Sequence, residues 1–380
     1  MATQQVLVLP LGVRVLPSEL QAPGPGLGLL LSRPPVGGVD HEDAEDLATE
    51  TVPHQTPWMD RVVARRLGQT ELDPGRGLAP GALAGGPRFL LAAGELARLD
   101  DELTVVQTRH VDGSEPWRLH AATHDLTGFV ASVDGRAVLG GEHVVALEIT
   151  DVDSATCIGE DRVVVSAPVM DDFVWRGRAT RRRTHHLVHL IDRASGSVLD
   201  TAPLDVDDAG VFAVPHPNDG SVVLDAGEGQ DGGHVFVVRC VAGRLDVAHL
   251  FDDTVAAGFN LSGDRLLLTP HPSFEHLARL VSWPTLDDIA TVTPEALGLD
   301  AIDFYGCFLG DDMVLLKSYE SGVVLTDQDL RPIGRVQLGE RVELDYELDA
   351  LYGLGPRTFA TVTSRERSTV TEVWTLDPAG

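Results

Sequence analysis

The sequence predicts an all-β fold assembled from seven repeats of four short strands. Three observations point there. A turn followed at once by a short apolar run occurs seven times, at Gly85, His124, Glu160, Asp219, Gly263, Gly310 and Gly355. The steps between these anchors are 39, 36, 59, 44, 47 and 45 residues, the spacing of blades in a radial repeat. The composition, with 39 Gly and 23 Pro, suits short strands joined by tight turns.

Each anchoring run serves as the second strand of its repeat: "RFLLA", "GFVASV", "RVVVSAPV", "SVVLDAG", "RLLLTP", "MVLLKSY" and "RTFATVT". A third strand follows in every case ("ELARLD", "RAVLGG", "HHLVHLID", "HVFVVRC", "LARLVSW", "SGVVLTD", "TVTEVWTLD"). In six repeats an outer strand comes next, for example "LTVVQTR", "RLDVAHL" and "PIGRVQL", and most are preceded by an inner one such as "GVFAVPHP". Four strands at a period near 45 describe a seven-bladed β-propeller occupying residues 1–380 as a single domain.

The last repeat stops at "WTLDPAG" without its outer strand, while residues 4–10, "QQVLVLP", read as a strand with no other partner. Pairing the N-terminal strand into the last blade closes the ring and removes an open edge. A chain of this length buries a large core without covalent staples. Cys157, Cys240 and Cys307 are far apart and form no CxxC pair, so they read as reduced thiols.

The start, "MATQQVLVLP", has no positive n-region, and no apolar run is long enough for a bilayer span. The expectation is a cytoplasmic protein with no membrane association. A formal charge of −29 opposes general nucleic-acid binding, which needs phosphate-neutralising cations.

Irregularity concentrates in the loops that open on one face, from second to third strand and from blade to blade. Residues 17–80 form a long inserted loop, first Pro/Gly-rich, then acidic over 41–50, then compatible with a short helix at "PWMDRVVARRLG". The third repeat carries "VMDDFVWRGRATRRRTHH" between its second and third strands. There Arg176, Arg178, Arg181, Arg182 and Arg183 crowd beside Phe173 and Trp175. Guanidinium groups with aromatic neighbours suit capture of carboxylate or phosphate. A protein or peptide partner or a small anionic ligand would bind there; the acidic 41–50 stretch is the intramolecular competitor.

A second constellation lies on the corresponding loops of repeats four and five. His271, Glu275 and His276 are the candidate acid–base residues, and with Asp225, Glu228 and Asp231 they are candidate ligands for a divalent metal. Polar loop tips reaching water are the simpler account of the same residues. Asp207, Asp208, Asp252, Asp253, Asp303 and Asp345 stand where inner strands begin; such carboxylates could hold a hard cation, but Asp is first of all a turn former there. "GEGQDG" at residues 227–232 matches GxGxxG but precedes no helix, so no phosphate site is expected. GxSxG, HExxH and P-loop motifs are missing, and no cofactor is expected beyond such a metal.

The "DG" and "GD" turns and the strand endings "SWPTLD", "HLID" and "VWTLD" resemble the WD40-like propeller superfamily, although the Gly-His and Trp-Asp dipeptides of typical members are missing from nearly every blade. The resemblance implies a rigid platform, most often for protein partners, and less often an enzyme working at the central channel. With no catalytic constellation recognisable, the expectation is a non-catalytic scaffold that binds a partner through its loop-rich face. The alternative is an enzyme or small-ligand binder of lyase or hydrolase type at the channel mouth.

Overall fold

The computed structural model describes residues 60–72, 88–92, 94–100, 103–111, 117–159, 161–229, 232–271, 277–319, 322–339, 348–365 and 368–377. They form a seven-bladed β-propeller. Strand β1 is Asp60–Leu72. Blade 1 contains β2 (Arg88–Ala92), β3 (Glu95–Leu99) and β4 (Val105–His110). Blade 2 contains β5 (Arg118–Ala122), β6 (Phe129–Val133), β7 (Arg136–Gly140) and β8 (Val144–Ala146). Blade 3 contains β9 (Ser154–Ile158), β10 (Arg162–Trp175), β11 (Arg178–Asp192) and β12 (Val198–Leu204).

Blade 4 contains β13 (Gly210–Pro215), β14 (Val222–Gly227), β15 (Gly233–Val241) and β16 (Arg244–Asp252). Blade 5 contains β17 (Thr254–Phe259), β18 (Arg265–Pro270), β19 (Ala278–Ser282) and β20 (Asp288–Val292). Blade 6 contains β21 (Ile302–Leu309), β22 (Met313–Ser318), β23 (Val323–Asp327) and β24 (Pro332–Leu338). Blade 7 contains β25 (Ala350–Gly355), β26 (Thr358–Arg365) and β27 (Ser368–Leu376), and its fourth strand is β1. Six of the seven anchoring runs are second strands of four-stranded blades, and the seventh, β2, leads into β3 and β4 of the three described strands of blade 1.

The second strands read as solid apolar runs because both of their faces are buried between blades. In β18, Leu266 and Leu268 pack with Val223 and Val235 of blade 4. Leu267 between them packs with Phe308 and Val314 of blade 6. In β10, Val163 and Val165 meet Val130 and Leu139 of blade 2, while Val164 meets Val211 and Leu224 of blade 4. The period of two is intact; what changes is that each side has its own neighbour.

Ring closure differs in detail from the sequence expectation. The outer position of blade 7 is held by Asp60–Leu72, antiparallel to β27 from Ala64↔Leu376 to Leu72↔Thr369. Residues 4–10, expected there, lie outside the described residues, as do 17–59 and 73–80 of the inserted loop. The first half of β1 also pairs in parallel with β24 of blade 6, from Asp60↔Gly334 to Ala64↔Leu338. Expectation of a helix within "PWMDRVVARRLG" is corrected from Asp60 onward. The run Val62-Val63-Ala64 alternates between half-buried, exposed and buried positions, and β-branched residues fit the slot between two outer strands better than a helix. Blade 1 is tied to blade 7 by Arg88, 1% exposed, whose Nη2 donates to the Gly353 carbonyl at 2.5 Å.

Ala64 is fully buried in a cluster with Leu338, Trp374 and Leu376, whereas Val63 is 44% exposed. Ala64→Asp would bury an unpaired carboxylate at the junction of both sheets and is expected to cost about 3 kcal/mol or more in a urea melt. Val63→Asp, one residue away on the open side, should stay within about 0.5 kcal/mol of the parent. Equal effects from the two would mean that β1 is not seated in this register.

Candidate functional site

The long step of the repeat, expected as a loop, is a continuation of two strands. β10 and β11 run together from Arg162↔Asp192 at the base to Trp175↔Arg178 at the tip. Strand β9 pairs only as far as Ser166 and β12 only as far as His186. Beyond that the hairpin extends as a two-stranded arm without a third strand among the described residues. Its turn is the pair Arg176–Gly177, with φ of 49° and 76°. Two positive φ values in succession match the twist of a tight hairpin, and Gly takes the second at no steric cost.

Strand alternation sorts the side chains of the arm. Residues paired directly across an antiparallel ladder share a face, so Asp171 lies with Arg182, Phe173 with Thr180, and Trp175 with Arg178. This face carries Phe173, Trp175, Arg178 and Arg182. The Arg182 guanidinium lies 5.6 Å from the centre of the Phe173 ring, and that of Arg176 lies 5.4 Å from Trp175, both within cation–π range. Trp175 is 61% exposed and its neighbour Val174 71%.

Arg181 and Arg183 belong to the other side, where they hold the arm to the ring. Arg181 Nη2 donates to Asp151 Oδ2 at 3.2 Å. Arg183 grips Asp153 through two bonds of 2.9 Å and also donates to the Ala209 carbonyl of the link into blade 4. Asp153 accepts further bonds from the buried His186 Nε2 at 2.9 Å and from the Val211 backbone N–H at 3.2 Å. One carboxylate thus joins β11, the link into β9, and β13. A register shift between Val169 and Met170 leaves Thr184 as an extra residue on β11, and such a bulge turns the strand that carries it. The seven residues proposed from sequence therefore divide. Phe173, Trp175, Arg176, Arg178 and Arg182 are presented outward; Arg183, and more loosely Arg181, are anchors.

Three residues of the second constellation, Asp225, Glu228 and His271, are described. Asp225, buried in β14, is held by the backbone N–H of Ala256 in blade 5. His271 is buried just after β18, its ring seated over Gly233, where a Cβ would come within 3.1 Å of ring carbon Cδ2. Burial lowers the imidazole pKa, while the Asp253 charge and a hydrogen bond to the Gly229 backbone act the other way. Both side chains brace the seam between blades 4 and 5. Glu228 Oε1 accepts the Asp207 backbone N–H at 3.0 Å. Asp231, Glu275 and His276 lie outside the described residues.

No family model matches this chain, and no curated protein does. Among solved structures, it is similar to the β-propeller domain of Cps50 (Swd1) from Myceliophteria thermophila, at 9% identity and a TM-score of 0.53. The match covers 83% of this chain and 100% of that one. The likeness shows the fold, a β-propeller. The C-terminal WD40 domain of Sif2 aligns more loosely, at 11% identity and a TM-score of 0.47, over 84% of this chain and 100% of that domain.

Within this propeller the only lysine, Lys317, has a partner that the sequence did not indicate. Its ammonium is buried against Asp303 Oδ2 and lies 5.9 Å from the centre of the Tyr305 ring. The pair joins β22 to β21 inside blade 6. Burial drives the Tyr305 hydroxyl well above its ordinary range, and it pushes Tyr319 up to about 12, so neither serves as a base near neutrality. Of the other inner-strand aspartates, Asp207 and Asp208 are exposed, and Asp345 lies outside the described residues. No described helix is long and apolar enough to cross a membrane.

Burial pushes the Asp225 carboxyl up to about 7, against the Ala256 hydrogen bond. The folded state then holds this proton more tightly than the unfolded chain, where the group titrates near 4. The associated stability is complete below pH 4, declines as pH rises and is gone above about 7. Asp225→Asn keeps an acceptor for Ala256 and removes the titration. Its stability relative to the parent should therefore improve by about 3 kcal/mol between pH 4.5 and pH 8 in urea melts. A difference that does not change with pH would mean that the carboxylate is ionised in the fold.

Proposed function

We propose that this protein is a non-catalytic propeller scaffold that binds a protein partner through the β10–β11 arm. The partner segment is extended and acidic. The observation that carries this reading is the separation of the arm into an anchoring side and a presenting side. Arg181 and Arg183 are used up in holding the ribbon, which leaves Arg178 and Arg182 on a face that also bears Phe173 and Trp175.

Three physical features support it. An exposed Trp beside arginines is the combination that dominates interface energetics. The concentration of positive charge stands out on a chain of net charge −29, so it steers an acidic segment to one place. The arm's strands also have unpaired backbone along their outer edges among the described residues, which an extended segment can use for strand addition.

The test is affinity capture with the full chain and with a variant carrying Trp175→Ala, Arg178→Glu and Arg182→Glu. All three sites are exposed, so the fold should be retained. The variant is expected to lose at least about tenfold in recovery of a specific partner, and the segment cross-linked to the arm in the parent should be acidic. Identical recovery by both proteins would overturn the reading.

A further inference from the structure

At the outer rim of blade 4 the fold gathers three metal-ligating side chains that the sequence keeps apart. His234 opens β15 and faces Asp252, its direct partner on β16. His249 is three residues before Asp252, a spacing that would put the two on opposite faces of a regular strand. The ladder shifts register between Val235 and Phe236, pairing Val235 with Phe251 but Phe236 with His249, so Leu250 is the extra residue of a bulge. Because His234 and Phe236 share a face, so do their partners Asp252 and His249. The bulge brings the three groups together.

The distances follow. Asp252 Oδ1 is 2.7 Å from His234 Nδ1 and 3.0 Å from His249 Nε2. One ligand atom from each of the three residues lies within 4.8 Å of the others. The two imidazole rings are 5.8 Å apart, centre to centre, and His249 meets the buried Phe236 ring edge-on at 5.2 Å, which gives the cluster an apolar floor. His249 and Asp252 are exposed and His234 half-buried, so an ion can reach all three.

A fourth residue completes the arrangement. Glu228 Oε2 is 3.7 Å from His234 Nε2, the nitrogen turned away from Asp252. Its other oxygen is fixed by the Asp207 backbone N–H. An imidazole that ligates through one nitrogen while the other faces a positioned carboxylate is the usual support of a metal-bound histidine, since the carboxylate sets the tautomer and ring orientation.

We infer that His234 Nδ1, His249 Nε2 and an Asp252 carboxylate oxygen form a binding site for a divalent transition metal of the zinc class, with Glu228 as the outer support of His234. Two imidazoles and one carboxylate are a donor set for zinc and its neighbours, whereas calcium and magnesium prefer oxygen throughout. Three protein ligands leave one position of a tetrahedron to water or to a donor from a bound molecule. Ligand atoms of a zinc tetrahedron stand slightly farther apart than hydrogen-bonded ones, so the ion would replace the present His–Asp bonds after a shift of about half an ångström. The site shares Glu228 with the candidate metal ligands of blades 4 and 5, and Asp252 with the aspartates at strand starts.

The experiment is calorimetric titration of the full, metal-stripped chain with zinc chloride alone, repeated with His234→Ala, His249→Ala, Glu228→Gln and His271→Ala. The parent is expected to bind about one equivalent at this site and to melt at a higher temperature with zinc present. Either ligand-histidine variant should lose that equivalent and the thermal shift, while circular dichroism shows the fold retained. Glu228→Gln should weaken affinity about tenfold or more without changing stoichiometry, and His271→Ala should leave binding at the parent level. A parent that binds no zinc, or one whose binding survives both His234→Ala and His249→Ala, would overturn the assignment.

Discussion

Every blade of this protein relies on a neighbour at each side, and that condition is met all the way round only because β1 joins the beginning of the fold to its end. The strand makes two kinds of ladder at once, parallel with β24 and antiparallel with β27. Its Ala64 lies where the two sheets meet, at a size that Trp374, Leu338 and Leu376 leave room for. Arg88 adds a buried bond from blade 1 to the blade 7 backbone. Without this junction the apolar faces of two blades would meet water, and two rows of backbone groups would be open to pairing with other chains.

The closed ring also explains why special features are found where they are. Within the ring the second strands have little spare surface, since both of their faces are packed. New chemistry is therefore accommodated by lengthening a hairpin, as in blade 3, or by a bulge on an outer strand, as in blade 4. The arm depends on the ring through Asp153, which accepts from Arg183, His186 and the Val211 backbone. A two-stranded ribbon alone is marginally stable in water; rooted on such a carboxylate, it can carry exposed aromatic residues.

The repeat was legible because it rests on local signals. A turn and an apolar run recur along the chain, and six of the seven runs are second strands of four-stranded blades. The inserted arm was legible as composition, through its arginines and aromatic residues, but not as structure. Nothing in "DDFVWRGRATRRR" separates anchoring from presenting arginines until the pairing register is known. The ring-closing strand was placed too early because "QQVLVLP" has the plainer strand pattern, while Asp60–Leu72 mixes arginines with its apolar residues and needs two partners distant in sequence to make sense. The His234–His249–Asp252 cluster was hidden for another reason. A single extra residue at position 250 inverts the alternation from which a reader of the sequence infers facing.

Ala64 pairs with Leu376, so nearly the whole chain separates the two halves of the closing junction. During synthesis β1 leaves the ribosome before blades 1–6, and its antiparallel partner β27 follows them. The earlier blades can collapse onto one another in order, but the ring stays open until β27 has been made. Throughout that interval β1 must be kept from pairing with some other exposed edge, which places the main hazard of folding in the cell at the closing junction and not in the repeats.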